Sequence, residues 1–560
     1  MLGMSMREKL PALWPEIVLF VAACVVMVVG LSRDAKIRNL CLPLCLGALG
    51  LAGILAWTTT PAMDVALPGL AKFGKVLAAG VGALLLVLLS GTADREYEAA
   101  IARGTDRYDP LRASRAEFYA FFLFSITGLM LCAGADDLIL LFLALELTSL
   151  PTYIMVSIST RHGRSMEAGV KYFFLGALGA AIFLYGFTLI YGGTGSTNLA
   201  QIHRVLAGQV AAAGSPSGIN AIAMAGLVLS VIGVGFKIAA VPMHFYTPDV
   251  YQGASSSVAA FLAFVPKTAG FLTILLLCAS VGWVAAGHPD DKFGSLPSPL
   301  HETLWLMAAL TMTVGNVLAV IQTSVKRVLA YSSIAHSGYM LVGVVAGPGD
   351  GFASSGIAAV LFYLLTYGVI NVGAFAVLAS LERVGSDGKP EEIDSFDDLR
   401  GLCRTRPLLG YTLVLSSLGL LGLPLTLGFW AKLPLFTSAL ASGETVLVLI
   451  LAVNSAIAAY YYLGLARAAW LDVAEQAPGA VPARVTPFLG RILAGVVSAG
   501  CVIVLAIVGA GLMTWAKDAA EYRFRIAPPP AASIEPGVGP AGAAAVGGET
   551  GTGTHAPKGL

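Results

Sequence analysis

The chain has 560 residues, of which 57% are hydrophobic and only 12% charged, and its mean hydropathy is +0.80. Soluble domains carry about 25% charged residues, so this composition is that of an all-α polytopic membrane protein. Thirty-four basic residues against 33 acidic ones leave a net charge of +1, and the seven scattered cysteines form no CxxC pair, which excludes a nucleic-acid-binding field and a zinc or iron–sulfur centre on this chain.

A transmembrane helix needs roughly 20 apolar residues. Runs of that size, separated by charged or Gly/Pro-rich breaks, predict about fourteen spans centred near residues 23, 48, 81, 124, 147, 180, 230, 268, 312, 337, 367, 424, 455 and 502. Residues 1–114 hold spans 1–3 and a charged loop. The first run, Trp14 to Leu31, lacks a small-residue cleavage site and reads as a retained span. GLAKFGKV, Gly69 to Val76, has the glycine and lysine spacing of a phosphate-binding loop, but Val76 stands where Ser or Thr must hold Mg²⁺ and the segment opens a span. It is set aside, and no hydrolase or dinucleotide motif occurs elsewhere.

Residues 115–282 contain spans 4–8 and residues 283–472 contain spans 9–13. Segments 192–218, with GGTGSTN and GSPSG, and 284–300 read as loops. In the first set, the text GVGFKIAAVPMHFYTPDVYQGASSS takes an apolar helix into Pro242, Pro248 and polar groups around Lys237. In the second, the run from Leu408 to Leu440 would be ~50 Å long as one helix, and it holds Pro424 and Pro434 on either side of Lys432. Both must break inside the membrane, which is tolerated only where the backbone is buried in protein or lines a watery cavity. Two interrupted helices in corresponding places of two five-span halves are the mark of an inverted repeat. Residues 473–517 supply span 14, and 518–560 form a low-complexity Ala/Gly/Pro tail that is expected to be disordered and is given no function.

Twenty basic residues fall in loops on one side and ten on the other, so the first side should face the cytoplasm and both termini away from it. Four lysines fit no loop: Lys171, Lys237, Lys267 and Lys432. Glu146 sits mid-span as well. Each such group costs about 2.5–3.5 kcal/mol at the centre of a helix, so the set marks function or pairing. Lys171 has a structural alternative, snorkelling or an i, i+4 pair with Glu167. A lysine in low dielectric, with a carboxylate nearby, takes and gives a proton as its partner moves. Glu146, Lys237, Lys267 and Lys432, bridged by waters and by His336 about nine residues beyond Lys326 and Arg327, therefore form a candidate proton pathway along the membrane plane. His244 and Asp249, beside the first break, are secondary candidates, although Asp249 also suits a helix cap.

Five stretches carry a resemblance: LALELTSLPTYI (Leu143 to Ile154), EAGVKYFFLGALGAAIFLYG (Glu167 to Gly186), GFKIAAVPMHFYTPDVYQGA (Gly235 to Ala254), VKRVLAYSSIAHSGYML (Val325 to Leu341) and GLPLTLGFWAKLPLF (Gly422 to Phe436). They closely resemble the antiporter-like subunits of respiratory complex I, the NADH-quinone oxidoreductase, with TPDVYQGA and FWAKLPLF most similar to its subunit N branch. The likeness runs from about residue 14 to 515.

The resemblance implies fourteen helices with two inverted five-helix repeats in the membrane arm of a bacterial inner-membrane complex, beside sister antiporter-like subunits. It also implies that NADH oxidation and quinone reduction occur on FMN and iron–sulfur clusters of other chains, with no cofactor or metal on this one. Glu146 matches the family's fifth-helix glutamate, Lys237 its seventh-helix lysine, Lys267 the connecting lysine of the eighth, Lys432 the lysine of the broken twelfth and Lys171 a sixth-helix lysine. A lysine at 432 agrees with the subunit N branch. The tail and the charged insert at about 92–115 depart from the pattern without touching these residues. The rival readings are a subunit of a multi-chain Na⁺/H⁺ antiporter or membrane-bound hydrogenase, a stand-alone secondary solute transporter, and a scaffold, which leaves the buried charges unexplained.

Overall fold

A computed structural model of the chain describes residues 10–59, 66–110, 112–160, 163–213, 218–283, 296–384, 390–472, 484–486 and 488–523. Most of the expected tail lies outside these residues.

The spans follow in order as α1 (Trp14–Gly30), α2 (Cys41–Thr58), α3 (Pro68–Leu88), α4 (Arg115–Ala133), α5 (Leu138–Ser157), α6 (Gly163–Thr194), α7 (Ala221–Val234) and the short α8 (Thr247–Gly253). After them come α9 (Ser256–Val281), α10 (Ser298–Val320), α11 (Val325–Ala346), α12 (Gly356–Ser380), α13 (Pro407–Leu421), α14 (Leu427–Ala441), α15 (Thr445–Trp470) and α16 (Leu489–Val508). Twelve helices among the described residues are long and apolar enough to cross a bilayer. The shorter apolar helices α7 and α13 are the first arms of interrupted spans, so fourteen crossings result. Five is an odd number, so a set of five spans repeated in sequence enters the membrane from the opposite side. The second half is therefore inverted relative to the first.

Side-chain caps start many of these helices by accepting an otherwise unpaired backbone N–H. Asp137 caps α5 at Ile139 N (2.7 Å), Asn220 caps α7 at Ile222 N (2.8 Å) and Ser324 caps α11 at Arg327 N (3.2 Å). Every residue of α9 is buried, and α11 and α12 nearly so. By contrast, α1, α6 and α15 keep Val, Leu and Phe or Tyr side chains exposed on their outer faces. The fully buried helices thus form the centre of the bundle and the others its lipid-facing wall.

Several segments differ from the sequence reading. Within 192–218 there is a helix, Leu199–Ala213, whose Leu199, Ile202, His203, Leu206 and Val210 are buried at helical spacing. The flanking glycine-rich text hid that amphipathic pattern. The 284–300 loop ends by Pro297, where α10 is entered, and residues 284–295 lie outside the described residues. Lys75, one of the ten basic residues that the sequence reading places in loops of the second side, lies buried in α3, because that helix starts earlier than the apolar centre near residue 81 suggests. A small antiparallel sheet joins the helices at the membrane surface, in the order β2 (Pro390–Glu392), β1 (Leu381–Val384), β3 (Arg484–Val485). It pairs Glu382 with Glu392 and Leu381 with Val485, and so ties the end of α12 to the segment before α16.

Candidate functional site

The first break begins where α7 ends. Gly235 to Ala240 turn back on themselves, with Lys237 N bonded to Val234 O at 2.8 Å, Ala240 N to Gly235 O at 2.8 Å, and Ala239 at φ 55°. This places Lys237 outside any helix yet deep in the protein, with its side chain 2% exposed. Its ammonium donates to Ser149 Oγ at 2.5 Å and lies 3.4 Å from Glu146 Oε1, both on α5. The rings of Phe183 and Phe236 each lie 5.8 Å from it, within cation–π range. Glu146 is different. Its side chain is 20% exposed at mid-span, on the outer face of the bundle.

On α9, Gly270 lies against the break: a Cβ there would come within 2.6 Å of Ile238 Cγ2 and 3.1 Å of Lys237 Cβ. Lys267, one turn away on α9, sends its ammonium to Ser333 O and to Ser337 Oγ (2.9 Å) on α11. Between those two serines α11 carries His336. Its Nδ1 meets Tyr363 OH at 2.6 Å and its Nε2 meets Tyr462 OH at 2.8 Å, so both ring nitrogens are engaged. Tyr462 in turn bonds Ser332 Oγ.

The second break is shorter. Gly422, at φ 81°, ends α13 in the left-handed conformation that favours glycine, and Leu425 follows at φ 74°. Lys432 lies past the break, on α14. Its ammonium donates to Leu421 O (2.8 Å), the last carbonyl of α13, where the helix dipole favours a cation, and sits 5.1 Å from the Tyr339 ring of α11. The two interrupted spans therefore present their lysines differently: Lys237 from the break itself, Lys432 from the second arm.

Helix α11 is the spine of this arrangement. Ser333, His336, Ser337 and Tyr339 lie within about 9 Å along its axis and meet, in turn, Lys267, the tyrosine pair, Lys267 again and Lys432. Among the described residues no direct hydrogen bond joins Lys237 to Lys267, or His336 to either lysine. Each transfer between stations needs a water or a side-chain movement.

The secondary candidates lie elsewhere. Lys171 is 45% exposed and pairs with Glu167 (2.7 Å) and Asp249 (3.2 Å). Asp249 stands in the first turn of α8 without capping it, and holds Arg327 at 2.9 Å, so it bridges α6 and α11 instead. His244 lies in the break with its ring 4.5 Å from Phe245, apart from the partners of Lys237. Sequence reasoning missed two features. One is an uncharged network in which Asn316 Nδ2 donates to Tyr339 OH (2.8 Å) and Asn454 Oδ1 (3.2 Å) while Tyr461 OH donates to Asn316 Oδ1 (3.0 Å). The other is a buried ion pair between Glu16 of α1 and Lys75 of α3, at 2.8 Å. A check of acids inside the first span would have found Glu16. Among the described residues no group of three or more His, Cys, Asp or Glu side chains is arranged to hold a metal ion.

Comparison with known proteins agrees with this architecture. The family model described as NADH:quinone oxidoreductase/Mrp antiporter, TM, matches residues 135–458. The chain is 38% identical to NADH-quinone oxidoreductase subunit N 2 of Symbiobacterium thermophilum over 73% of this chain and 76% of that one. It is 35% identical to NADH-quinone oxidoreductase subunit N of Desulfovibrio desulfuricans over 92% and 95%. It superimposes on a chain of respiratory complex I from Thermus thermophilus with a TM-score of 0.68 and 32% identity, covering 89% of this chain and 98% of that one.

Proposed function

Because the chain belongs to the NADH:quinone oxidoreductase/Mrp antiporter membrane family, we propose that it is a proton-translocating membrane-arm subunit of an NADH-quinone oxidoreductase. The observation that carries this reading is the α11 spine, which sets Lys267, His336 and Lys432 in file while Lys237, paired with Glu146, lies against α9 at Gly270, one turn from Lys267. Nothing in that file suits a solute. Its members are groups that hold or pass a proton, fixed by hydroxyls, carbonyls and rings.

In the proposed mechanism each lysine is a station. Lys237 keeps its proton while Glu146 is near, and displacement of that carboxylate changes which of the two holds it. The proton moves by water to Lys267, whose ammonium is positioned by Ser333 and Ser337. His336, clasped by two tyrosines, relays it to Lys432 at the second break. The redox chemistry that drives these moves belongs to other chains, with FMN and iron–sulfur clusters there and no cofactor here.

The partial exposure of Glu146 at mid-depth supports a neighbouring membrane-arm subunit on that face, since a carboxylate bare to lipid is costly. The face where α4, α6, α9 and α11 begin gathers the basic loops, and we assign it to the cytoplasm, with both termini opposite. A subunit of a multi-chain Na⁺/H⁺ antiporter remains the second reading, favoured by the shared family model. The test is to tag the chain, extract it in mild detergent and assay NADH-dependent quinone reduction sensitive to quinone-site inhibitors. Activity that co-elutes with a large assembly is the expected result; elution with only other antiporter-like chains would move the assignment to the ion antiporter.

A further inference from the structure

Between α10, α13 and α15 the basic-loop face opens into a cavity of about 730 Å³ that contains none of the pathway residues. Its surface end carries Gln322, Arg400, Arg467 and Asp472, and its deep end Leu418 and Tyr460. Tyr460 and Trp470 lie ten residues apart on α15, so the cavity descends ~15 Å, half of the ~30 Å hydrocarbon core. It is one leaflet deep.

Depth and lining together decide what fits. Ala319, Val328 and Ala468 are buried in the wall of the cavity, while Tyr460, Leu463 and Trp470 stand exposed at its rim. A Cβ on Gly464 would meet Phe396 Cε1 at 3.9 Å and nothing nearer, so this position of α15 leaves room for a chain from another molecule. A transmembrane helix would need a groove through both leaflets, about 20 residues long, whereas this one ends at Tyr460 and Leu418. Charge at the surface, a tryptophan at headgroup level and apolar wall below are the profile of a single phospholipid.

We propose that this cavity binds one phospholipid with an anionic headgroup, its phosphate at Arg400 and Arg467 and an acyl chain along α15 as far as Tyr460. Basic pockets between transmembrane helices take such headgroups. Arg400 places Nη2 3.0 Å from Asp397, which is 78% exposed and lies outside the lining, and Arg467 places Nε 3.5 Å from Asp472. Exposed pairs of this kind are weak, and the other guanidinium N–H groups suit a phosphate in bidentate fashion. Two arginines against Asp472 leave the mouth with one net positive charge, which favours an anionic lipid over a zwitterionic one. The site goes beyond the proton-translocation reading and does not depend on it. It meets the uncharged network at Tyr461, whose hydroxyl donates to Asn316 Oδ1 at 3.0 Å.

The experiment uses the whole assembly with which the chain purifies, reconstituted in phosphatidylcholine vesicles. A trace of phosphatidylglycerol carrying a diazirine in its acyl chain is added and the labelled peptides are read by mass spectrometry, with phosphatidylcholine bearing the same chain as the control. Label should fall on residues 460–470 of α15, about fivefold more from the anionic lipid, as one net charge at the membrane surface requires. Arg400→Gln combined with Arg467→Gln should bring the anionic lipid down to the level of the zwitterionic one. Gly464→Leu puts a side chain where a few methylenes would lie, and should cut the anionic label by about tenfold. Equal labelling by the two lipids, labelling unchanged by Gly464→Leu, or no label on α15 because a neighbouring subunit covers it overturns the proposal. Where Gly464→Leu does not assemble, the arginine pair decides. If NADH-dependent quinone reduction fails to co-elute with the chain, the reading of its function changes and the labelling result stands by itself.

Discussion

Lys432 donates to the carbonyl of Leu421 at 2.8 Å, so a charged side chain from α14 completes the end of α13 across the Gly422 break. The bond does two things at once. It satisfies a helix-terminal carbonyl that has no intrahelical partner, and it fixes the ammonium over the Tyr339 ring of α11.

Lys432→Met should therefore reveal both roles. Removing the donor leaves the half-buried Leu421 O without its partner, a cost at the low end of about 1–3 kcal/mol, small enough for assembly. Proton uptake driven by NADH should fall by about tenfold or more, which equals only ~1.4 kcal/mol of added barrier. The measurement is fluorescence quenching of a pH-sensitive dye in inside-out vesicles, normalised to assembled complex. Normal uptake would remove Lys432 from the pathway.

The charged members of this axis were visible in the sequence because a lysine far from any polar loop has no other reason to persist in apolar text. The interrupted helices were visible for a related reason: Pro424 and Pro434 stand in a run too long for one span. Their partners were not. Ser149, Ser337, Tyr363 and Tyr462 are residue types that membrane helices commonly bury, and only packing shows which of them turn toward a lysine or His336. In the sequence Lys171 stands between a pathway role and an i, i+4 pair with Glu167, and that pair is present: α6 runs for 32 residues, longer than the hydrocarbon core requires, and the lysine sits near its exposed end.

Lys171→Ala is accordingly expected to change little. Its two ion pairs are solvent-exposed, where such pairs contribute about 0–1 kcal/mol. Proton uptake should remain within about twofold of the parent, and the midpoint of thermal unfolding should hardly move. A loss comparable to that of Lys432→Met would restore Lys171 to the pathway on grounds other than the geometry seen here.

Gly270→Ala tests whether α9 positions the first lysine. The added Cβ would meet Ile238 Cγ2 at 2.6 Å and Lys237 Cβ at 3.1 Å, so the break must shift away. Overpacking of this kind costs about 1–3 kcal/mol. Because Lys237 rather than a distant residue is pushed, proton uptake should drop several-fold although no ionisable group has been changed. Unfolding monitored by light scattering, run beside the uptake assay, separates loss of stability from loss of transfer. Gly80→Ala, where the added carbon meets nothing within 4 Å, is the control and should match the parent in both.

The Glu146–Lys237 pair distinguishes a structural charge from a working one. Breaking one side of a buried pair leaves the other uncompensated, a loss of about 3–5 kcal/mol in a dry interior; here Glu146 is partly exposed, so the smaller half of that range applies to Lys237→Met, which leaves the carboxylate, and the larger half to Glu146→Gln, which strands an ammonium 2% exposed. Replacing both should restore most of the stability, because neither charge is then left alone. Translocation should not return with it. If the pair were structural, the double variant would recover stability and proton uptake together; if it moves protons, thermal midpoints rise toward the parent while uptake stays as low as in the worse single variant. Comparing the two readouts across all four proteins makes that decision without reference to any other site, and Ser149→Ala, which removes the hydroxyl at 2.5 Å but neither charge, should fall between the parent and the single variants in uptake.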